Sequence, residues 1–308
     1  MTESLEAQPS QPSAAAPSAA AIWLLAIRPR TLAVAVGPVA VGTAVAFVDG
    51  NAAWAPAVAA LLGALLLQIG CNFANDVYDS EKGADGDDRL GPPRAVQLGL
   101  LAPAQMKRGM LLAFALAAGV GLYLASVAGW PVIAIGVVSL LAAFAYTGGP
   151  YPLGYHGLGD LAVFVFFGVV AVVGTEFVQS GSFSLWALAA SVPVGLLATA
   201  VLVVNNLRDV ETDRVAGKRT LAVRIGARGA RFEYAALLGV AYAVLPAFLL
   251  LGGRSAWVLL PWVTLPLGFK LVSDIVGGTA GAQLNPLLAA TAQLGVVFSL
   301  LLAVGYVL

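Results

Sequence analysis

The chain has little of what a disulfide-stapled or soluble protein would use. One cysteine, Cys71, stands in 308 residues. That excludes an intrachain disulfide and a thiolate zinc centre. As a free thiol it is expected to pack as a small apolar residue. The one histidine, His156, makes no metal site by itself. Charge is scarce too: Asp, Glu, Lys and Arg make up 10% of the residues, against about 25% in soluble domains. Acidic and basic residues are equal at 16 each, so net charge points to no partner, and no nucleic acid is expected as one. Residues 1–20 lack the basic start of a signal peptide. They are rich in Ala, Ser, Pro and Gln and read as a disordered tail, leaving 21–308 as one membrane domain.

What remains is apolar: 60% of residues are hydrophobic and mean hydropathy is +0.90. A membrane-crossing helix needs about 20 mostly apolar residues. Nine candidate segments are present, at 31–48, 54–78, 108–128, 131–147, 158–178, 185–206, 232–251, 256–276 and 286–307. The expected fold is therefore all-α, a polytopic membrane protein. Connections after the first, third, fifth and seventh segments are short. Those after the second, fourth, sixth and eighth are longer and richer in polar residues, Gly and Pro. Basic residues are unevenly placed. The N-terminal segment, the loop after the second segment and the loop after the sixth hold, with their flanks, 14 of the 16. Arg254 is alone on the other side and Lys270 lies within the eighth segment. The positive-inside rule puts the N-terminus and these loops in the cytoplasm, the membrane being the cell (inner or plasma) membrane. An odd number of crossings puts the C-terminus outside.

Two polar clusters close long apolar segments. The first reads Asn72-Phe-Ala-Asn75-Asp76-Val-Tyr-Asp79, the second Asn205-Asn206-Leu-Arg208-Asp209-Val-Glu211-Thr-Asp213. Carboxylates at membrane depth are costly and point to function. On a helix Asn72, Asp76 and Asp79 fall within about 60° of one another, with Asn75 on the same broad face; Asn206, Asp209 and Asp213 do likewise. Magnesium takes hard oxygen ligands and keeps waters or phosphate oxygens in its shell. Two such faces across a cavity suit a pyrophosphate bound through Mg²⁺, with Lys82, Arg94, Lys218 and Arg219 nearby to neutralise the remaining charge. The plainer alternative is a pair of solvated helix ends. Two matching clusters on one side of the membrane weigh against it. Asp85, Asp87 and Asp88 sit in a Gly-rich loop and read as solvated charge.

At these residues the chain resembles the UbiA-type intramembrane prenyltransferases. The resemblance implies nine transmembrane helices around a central cavity and two Asp-rich motifs that bind Mg²⁺ and diphosphate. It also implies transfer of an isoprenoid chain from a prenyl diphosphate to an acceptor, often aromatic. The generic first motif would place its last acid at Ser80; this chain has Asp79 instead, a spacing tolerated in the branch that prenylates 1,4-dihydroxy-2-naphthoate. The stretches Gly91-Pro92-Pro93-Arg94-Ala95-Val96-Gln97, Tyr146-Thr147-Gly148-Gly149-Pro150-Tyr151-Pro152 and Gly217-Lys218-Arg219-Thr220-Leu221-Ala222 are similar to that branch. The likeness covers residues 22–308, and the second motif is its most specific part.

Carried over residue by residue, the resemblance implies catalytic roles for Asp76, Asp79, Asp209, Asp213 and Lys218. It implies metal contacts from Asn72, Asp76, Asp79, Asn206, Asp209 and Asp213. Diphosphate would be held by Asn72, Asn75, Lys82, Arg94, Asn205, Asn206 and Arg219, and the acceptor and prenyl head by Tyr146, Tyr151, Tyr155 and His156. The products would be demethylmenaquinol, CO₂ and diphosphate. The prenyl tail would lie between helices, in contact with membrane lipid. An allylic cation would be shielded by aromatic faces, for which Phe73, Tyr78, Tyr146, Tyr151 and Phe167 are candidates. Gly37, Gly42 and Gly63 are expected to allow close helix packing, and Asp160 to start a helix. Competing readings are transfer to 4-hydroxybenzoate, phytyl transfer, and, from another class, a secondary transporter. Repeats and intramembrane acids suit a transporter, but these acids stand at helix ends.

Overall fold

A computed structural model describes residues 17–308 except 85, 87, 88, 253 and 254. Asp85, Asp87, Asp88, Arg254 and most of the N-terminal tail therefore lie outside the described residues. Helix α1 (Ala19–Ile27) begins inside the segment read as a tail, where the Ser18 hydroxyl accepts from the Ala21 amide. The apolar segments follow as helices α2 (Ala33–Val48), α3 (Trp54–Glu81), α4 (Pro103–Ala128), α5 (Pro131–Ala145), α6 (Gly159–Ser180), α7 (Leu185–Arg208), α9 (Leu221–Leu250), α10 (Ala256–Val276) and α11 (Gly281–Val307). A short helix α8 (Val210–Val215) follows α7. There is no strand among the described residues. In lipid, helices are the natural answer because each satisfies its own backbone.

Seven of these helices are long and apolar enough to cross a membrane, and α2 and α5 are shorter apolar helices. At 1.5 Å per residue the latter two reach about 22–24 Å, less than the roughly 30 Å hydrocarbon core. Hydropathy located all nine segments but misjudged several ends. α3 runs through Asp79 to Glu81, whereas α5 stops at Ala145 and leaves Tyr146 and Thr147 in a loop. α4 starts at Pro103, where the Gln105 side chain accepts from the Ala102 amide. α9 starts at Leu221 and breaks at Gly226, whose φ of 75° leaves the helical region. The connection between α10 and α11 is short, not long, because a 3-10 turn at Gly281–Gln283 begins α11 early.

α7 is the central helix: 67% of its apolar window is buried, against 22–39% for the other six long helices. It packs with α2, α6, α9 and α11 around Val194, Leu197, Val203, Val204 and Leu207. Small residues let backbones approach. A Cβ on Gly168 of α6 would lie 2.7 Å from the Gly195 Cα of α7, and one on Gly37 would lie 2.7 Å from Ser299. Gly42 is equally constrained by the Val172 carbonyl, but Gly63 meets only Val120 at an ordinary 3.4 Å. A second core joins α1, α3 and α4 through Ala26, Phe73, Val77, Met106 and Met110, and takes in Ala95 and Val96 of the loop after α3. Phe73 lies in this core, edge-on to Trp23 at 5.5 Å.

Candidate active site

The loops after α3, α5 and α7 and the start of α11 meet at one end of the bundle. The Lys82 ammonium donates to the Thr147 carbonyl. The Arg219 amide donates to the Tyr155 carbonyl at 3.0 Å, and Asn285 donates to the Leu90 carbonyl at 2.9 Å. Both polar clusters face this end, as their sequence placement requires.

The first cluster does not aim its side chains at one point. Asn72 donates to the Ile27 carbonyl at 2.9 Å and the Thr31 hydroxyl at 3.2 Å, tying down the segment between α1 and α2. The Asn75 side-chain oxygen accepts from the Thr147 hydroxyl at 2.9 Å. Asp76 is 1% exposed, and its two oxygens accept from the Ala95 and Val96 amides at 3.1 and 3.2 Å. Asp79 is buried between two donors: Arg94 Nη1 donates to its Oδ2 at 2.8 Å and the Tyr155 hydroxyl to its Oδ1 at 2.8 Å. Arg94 also reaches the Asn75 carbonyl at 2.5 Å. Sharing a helix face brought these residues to one end; the neighbouring loops then divided their roles. In this structure Asn72 and Asp76 bond to neighbouring segments of the chain, while Asp79 pairs with Arg94 and Tyr155.

The second cluster is organised by Arg208, a residue that sequence reasoning used only for topology. Its guanidinium grips both oxygens of Asp209, Nε at 2.8 Å and Nη2 at 2.6 Å, and also holds the side-chain oxygens of Asn205 and Asn285 at 2.9 Å. Such bidentate pairs are stronger than point contacts. Asn206 is buried, and its amide is engaged by no described side chain. Asp213 is buried with Oδ2 lacking a partner, while Oδ1 lies 3.5 Å from Lys218 Nζ. Burial pushes the Asp213 carboxyl up to about 6, against the pull of Lys218.

Lys218 links the two faces. Burial opposes its charge, but Asp79, Asp213 and Asp209 outweigh that and its pKa is raised. Its ammonium stands 5.4 Å from the Tyr155 ring centroid, and that of Lys82 4.5 Å from the same ring. Arg28 was also missed. It is half-buried, with φ of +56°, the left-handed region where a non-glycine residue is strained. Its Nη2 has no hydrogen-bond partner among the described residues. Burial, then Arg94 and Arg89, depress its pKa to about 9. The Arg-Pro-Arg sequence in an otherwise apolar N-terminal stretch was the available signal.

Tyr146 lies deep in the site, with Asp160, Asp79 and Asp213 among the charges that act on its hydroxyl. Tyr151 is exposed and stacks on His156 with centroids 3.7 Å apart. Arg219 lines a cavity with His156 and Arg224, away from the acids that hold Lys218. Among the described residues no three acidic, His or Cys groups converge closely enough to hold an ion alone. The orphaned Asp213 oxygen and the free Asn206 amide instead suit an ion that shares its shell with phosphate oxygens.

Residues 35–274 match the UbiA prenyltransferase family. The chain belongs to that family. It is 42% identical over 281 residues to the 1,4-dihydroxy-2-naphthoate octaprenyltransferase of Mycobacterium tuberculosis, covering 91% of this chain and 95% of that one. It is 38% identical over 289 residues to the protein of the same name from Escherichia coli, covering 92% and 94%. Its fold is that of a UbiA homologue from Archaeoglobus fulgidus bound to DMAPP and Mg²⁺, with a TM-score of 0.65 and 15% identity, covering 93% of this chain and 99% of that one. This multi-pass membrane protein thus shares a fold that elsewhere holds a prenyl diphosphate and a divalent ion.

Proposed function

We propose that the chain transfers a polyprenyl group from an all-trans prenyl diphosphate to 1,4-dihydroxy-2-naphthoate, releasing diphosphate and CO₂ and giving demethylmenaquinol. The observation that carries this reading is Lys218 between two acid faces, with Asp79 on one and Asp213 on the other. The extensive likeness to the two octaprenyltransferases supports the choice of acceptor.

Asp213, Asn206, Asp209 and Asp79 would hold a divalent ion, expected to be Mg²⁺, together with the diphosphate. When bound it supplies electrophilic stabilisation to the leaving group. The remaining work falls to side chains already in place. Lys218, Lys82, Arg94 and Arg28 present cations to the diphosphate oxygens, in a site where water does not compete fully. The allylic C–O bond ionises toward them. The Tyr146 ring face would attract the resulting cation, while Tyr155 carries the Lys82 and Lys218 ammonium groups over its own ring. An electron-rich naphthoate carbon then forms the new C–C bond, and loss of CO₂ restores the aromatic ring. Asp76 and Asn72 position the loops that carry Arg94 and Arg28. The basic loops face the cytoplasm of the cell membrane, where a water-soluble acceptor would arrive, and the prenyl tail lies among the apolar helices next to lipid.

The test is a transfer assay on purified protein in nanodiscs, with geranylgeranyl diphosphate, Mg²⁺ and either 1,4-dihydroxy-2-naphthoate or 4-hydroxybenzoate. Mass spectrometry should find the prenylated, decarboxylated naphthoquinone and its loss with EDTA. Product from 4-hydroxybenzoate alone would reject the acceptor; product from neither would reject the reading.

A further inference from the structure

Tyr155 is shared between two spaces. Its hydroxyl binds Asp79, while its ring forms part of the wall of a cavity of about 400 Å³. That cavity is lined by Lys82, Arg219, Arg224, His156 and the Pro150–Pro152 turn, with three cations and no carboxylate among its described lining residues. Its rim is solvent-exposed at Gly149, Pro150, Gly217, Arg219 and Arg224, so it opens on the loop face and not among the apolar helices.

Two of the three cations are anchored on backbone carbonyls, Lys82 on that of Thr147 and Arg224 on two others. Arg224 donates from Nε to the Arg219 carbonyl at 3.2 Å and from Nη2 to the His156 carbonyl at 2.8 Å, which fixes its guanidinium at the rim. The Arg219 guanidinium makes no hydrogen bond or ion pair among the described residues. His156 is oriented by the Pro152 carbonyl, 2.8 Å from Nδ1. A carbonyl only accepts, so Nδ1 carries a hydrogen. The His156 ring stacks on Tyr151 with a 21° interplanar angle, offering a flat aromatic surface beside the cations.

We propose that this cavity is a vestibule that captures a planar aromatic carboxylate from water and passes it across Tyr155 to the prenyl donor. The inference rests on the function proposed above and assigns its acceptor an entry site, with Arg219 and Arg224 taking the carboxylate. Arginine suits a planar carboxylate because its donors form a fork, and a volume of this order suits a small ligand. A metal-bound diphosphate fits less well, since no acid lines the space to share the ion.

The experiment uses 1-hydroxy-2-naphthoate, a fluorescent carboxylate, titrated into the whole protein in detergent with EDTA and no prenyl diphosphate. Saturable binding is expected, weakened about tenfold or more in Arg224→Gln and in Arg219→Gln and partly recovered in Arg224→Lys. The neutral 1-naphthol should bind far more weakly. In turnover the acceptor KM should rise by the same factor with the donor KM unchanged, which also reports that the variants are folded. Absence of saturable binding to the wild type would overturn the vestibule. So would a donor KM that rises as much as the acceptor KM, or displacement of the probe by inorganic diphosphate at concentrations below the probe's own. Normal naphthoate turnover with an unshifted acceptor KM in both Gln variants would overturn the vestibule and leave the proposed function standing. A wild type that converts no naphthoate would remove both.

Discussion

Replacing Asp76 by Ala separates the role that the structure gives this carboxylate from that of a metal ligand. Asp76 accepts from the Ala95 and Val96 amides and is 1% exposed. Removing it strands two buried N–H groups, at about 1–3 kcal/mol each. The loop they belong to carries Arg94, which pairs with Asp79 at 2.8 Å. A local cost of about 3 kcal/mol corresponds to more than a hundredfold rise in loop opening, at about 1.4 kcal/mol per tenfold. Hydrogen exchange read by mass spectrometry should show that loss of protection at residues 94–97, with the helices unchanged. Transfer should fall with it, because Arg94 no longer holds its place beside Asp79. Unchanged protection at 94–97 together with complete loss of transfer would refute this reasoning and return Asp76 to the metal.

Other perturbations probe the remaining walls. Arg28→Gly should raise the donor KM about tenfold or more without lowering the melting temperature, since it relieves a left-handed strain of about 1–2 kcal/mol and removes a half-buried charge; a normal donor KM would place Arg28 outside the donor site. The Asp213 carboxyl is raised to about 6 in the fold, so a proton competes with a divalent ion as pH falls through that value. Ion affinity measured calorimetrically should therefore be about tenfold weaker at pH 5 than at pH 7, and the dependence should vanish in Asp213→Asn. The same shift has the opposite sense for stability. The folded state keeps its proton where the unfolded chain has lost it, so this group's contribution to stability declines as pH rises from about 4 to 6. Gly42→Ala should lower the melting temperature by several degrees, because its Cβ meets the Val172 carbonyl, whereas Gly63→Ala should be nearly neutral beside Val120.

Much of this was legible in the sequence, for reasons of scale. Long apolar runs report helices, and an Asn/Asp cluster at a helix end stands out against a chain that is 10% charged. The count of apolar segments and the placement of basic residues put the two clusters at one end of the bundle. Helical spacing did not say which carboxylate would be free, because that depends on loops far along the chain. Asp76 is taken by amides 19 and 20 residues away, and Asp79 by a tyrosine 76 residues away. Asp209 is gripped by its own neighbour Arg208, a contact whose geometry spacing does not reveal. Arg28 announced itself only as part of an Arg-Pro-Arg stretch, and the backbone conformation that aims it, φ of +56°, is not written in the residue type. The helical turns from Leu221 to the break at Gly226 were missed because their basic residues fall in the stretch read as a loop before segment 232–251.

The proposed function holds a prenyl diphosphate head between the two acid faces, with Lys218 between them. Isothermal titration of geranyl diphosphate, with and without Mg²⁺, into wild type, Asp79→Asn, Asp213→Asn and Lys218→Met tests it most directly. Mg²⁺-dependent binding that each substitution weakens at least tenfold is the predicted result. Binding that survives loss of either acid face, or is indifferent to Mg²⁺ in the wild type, would contradict it.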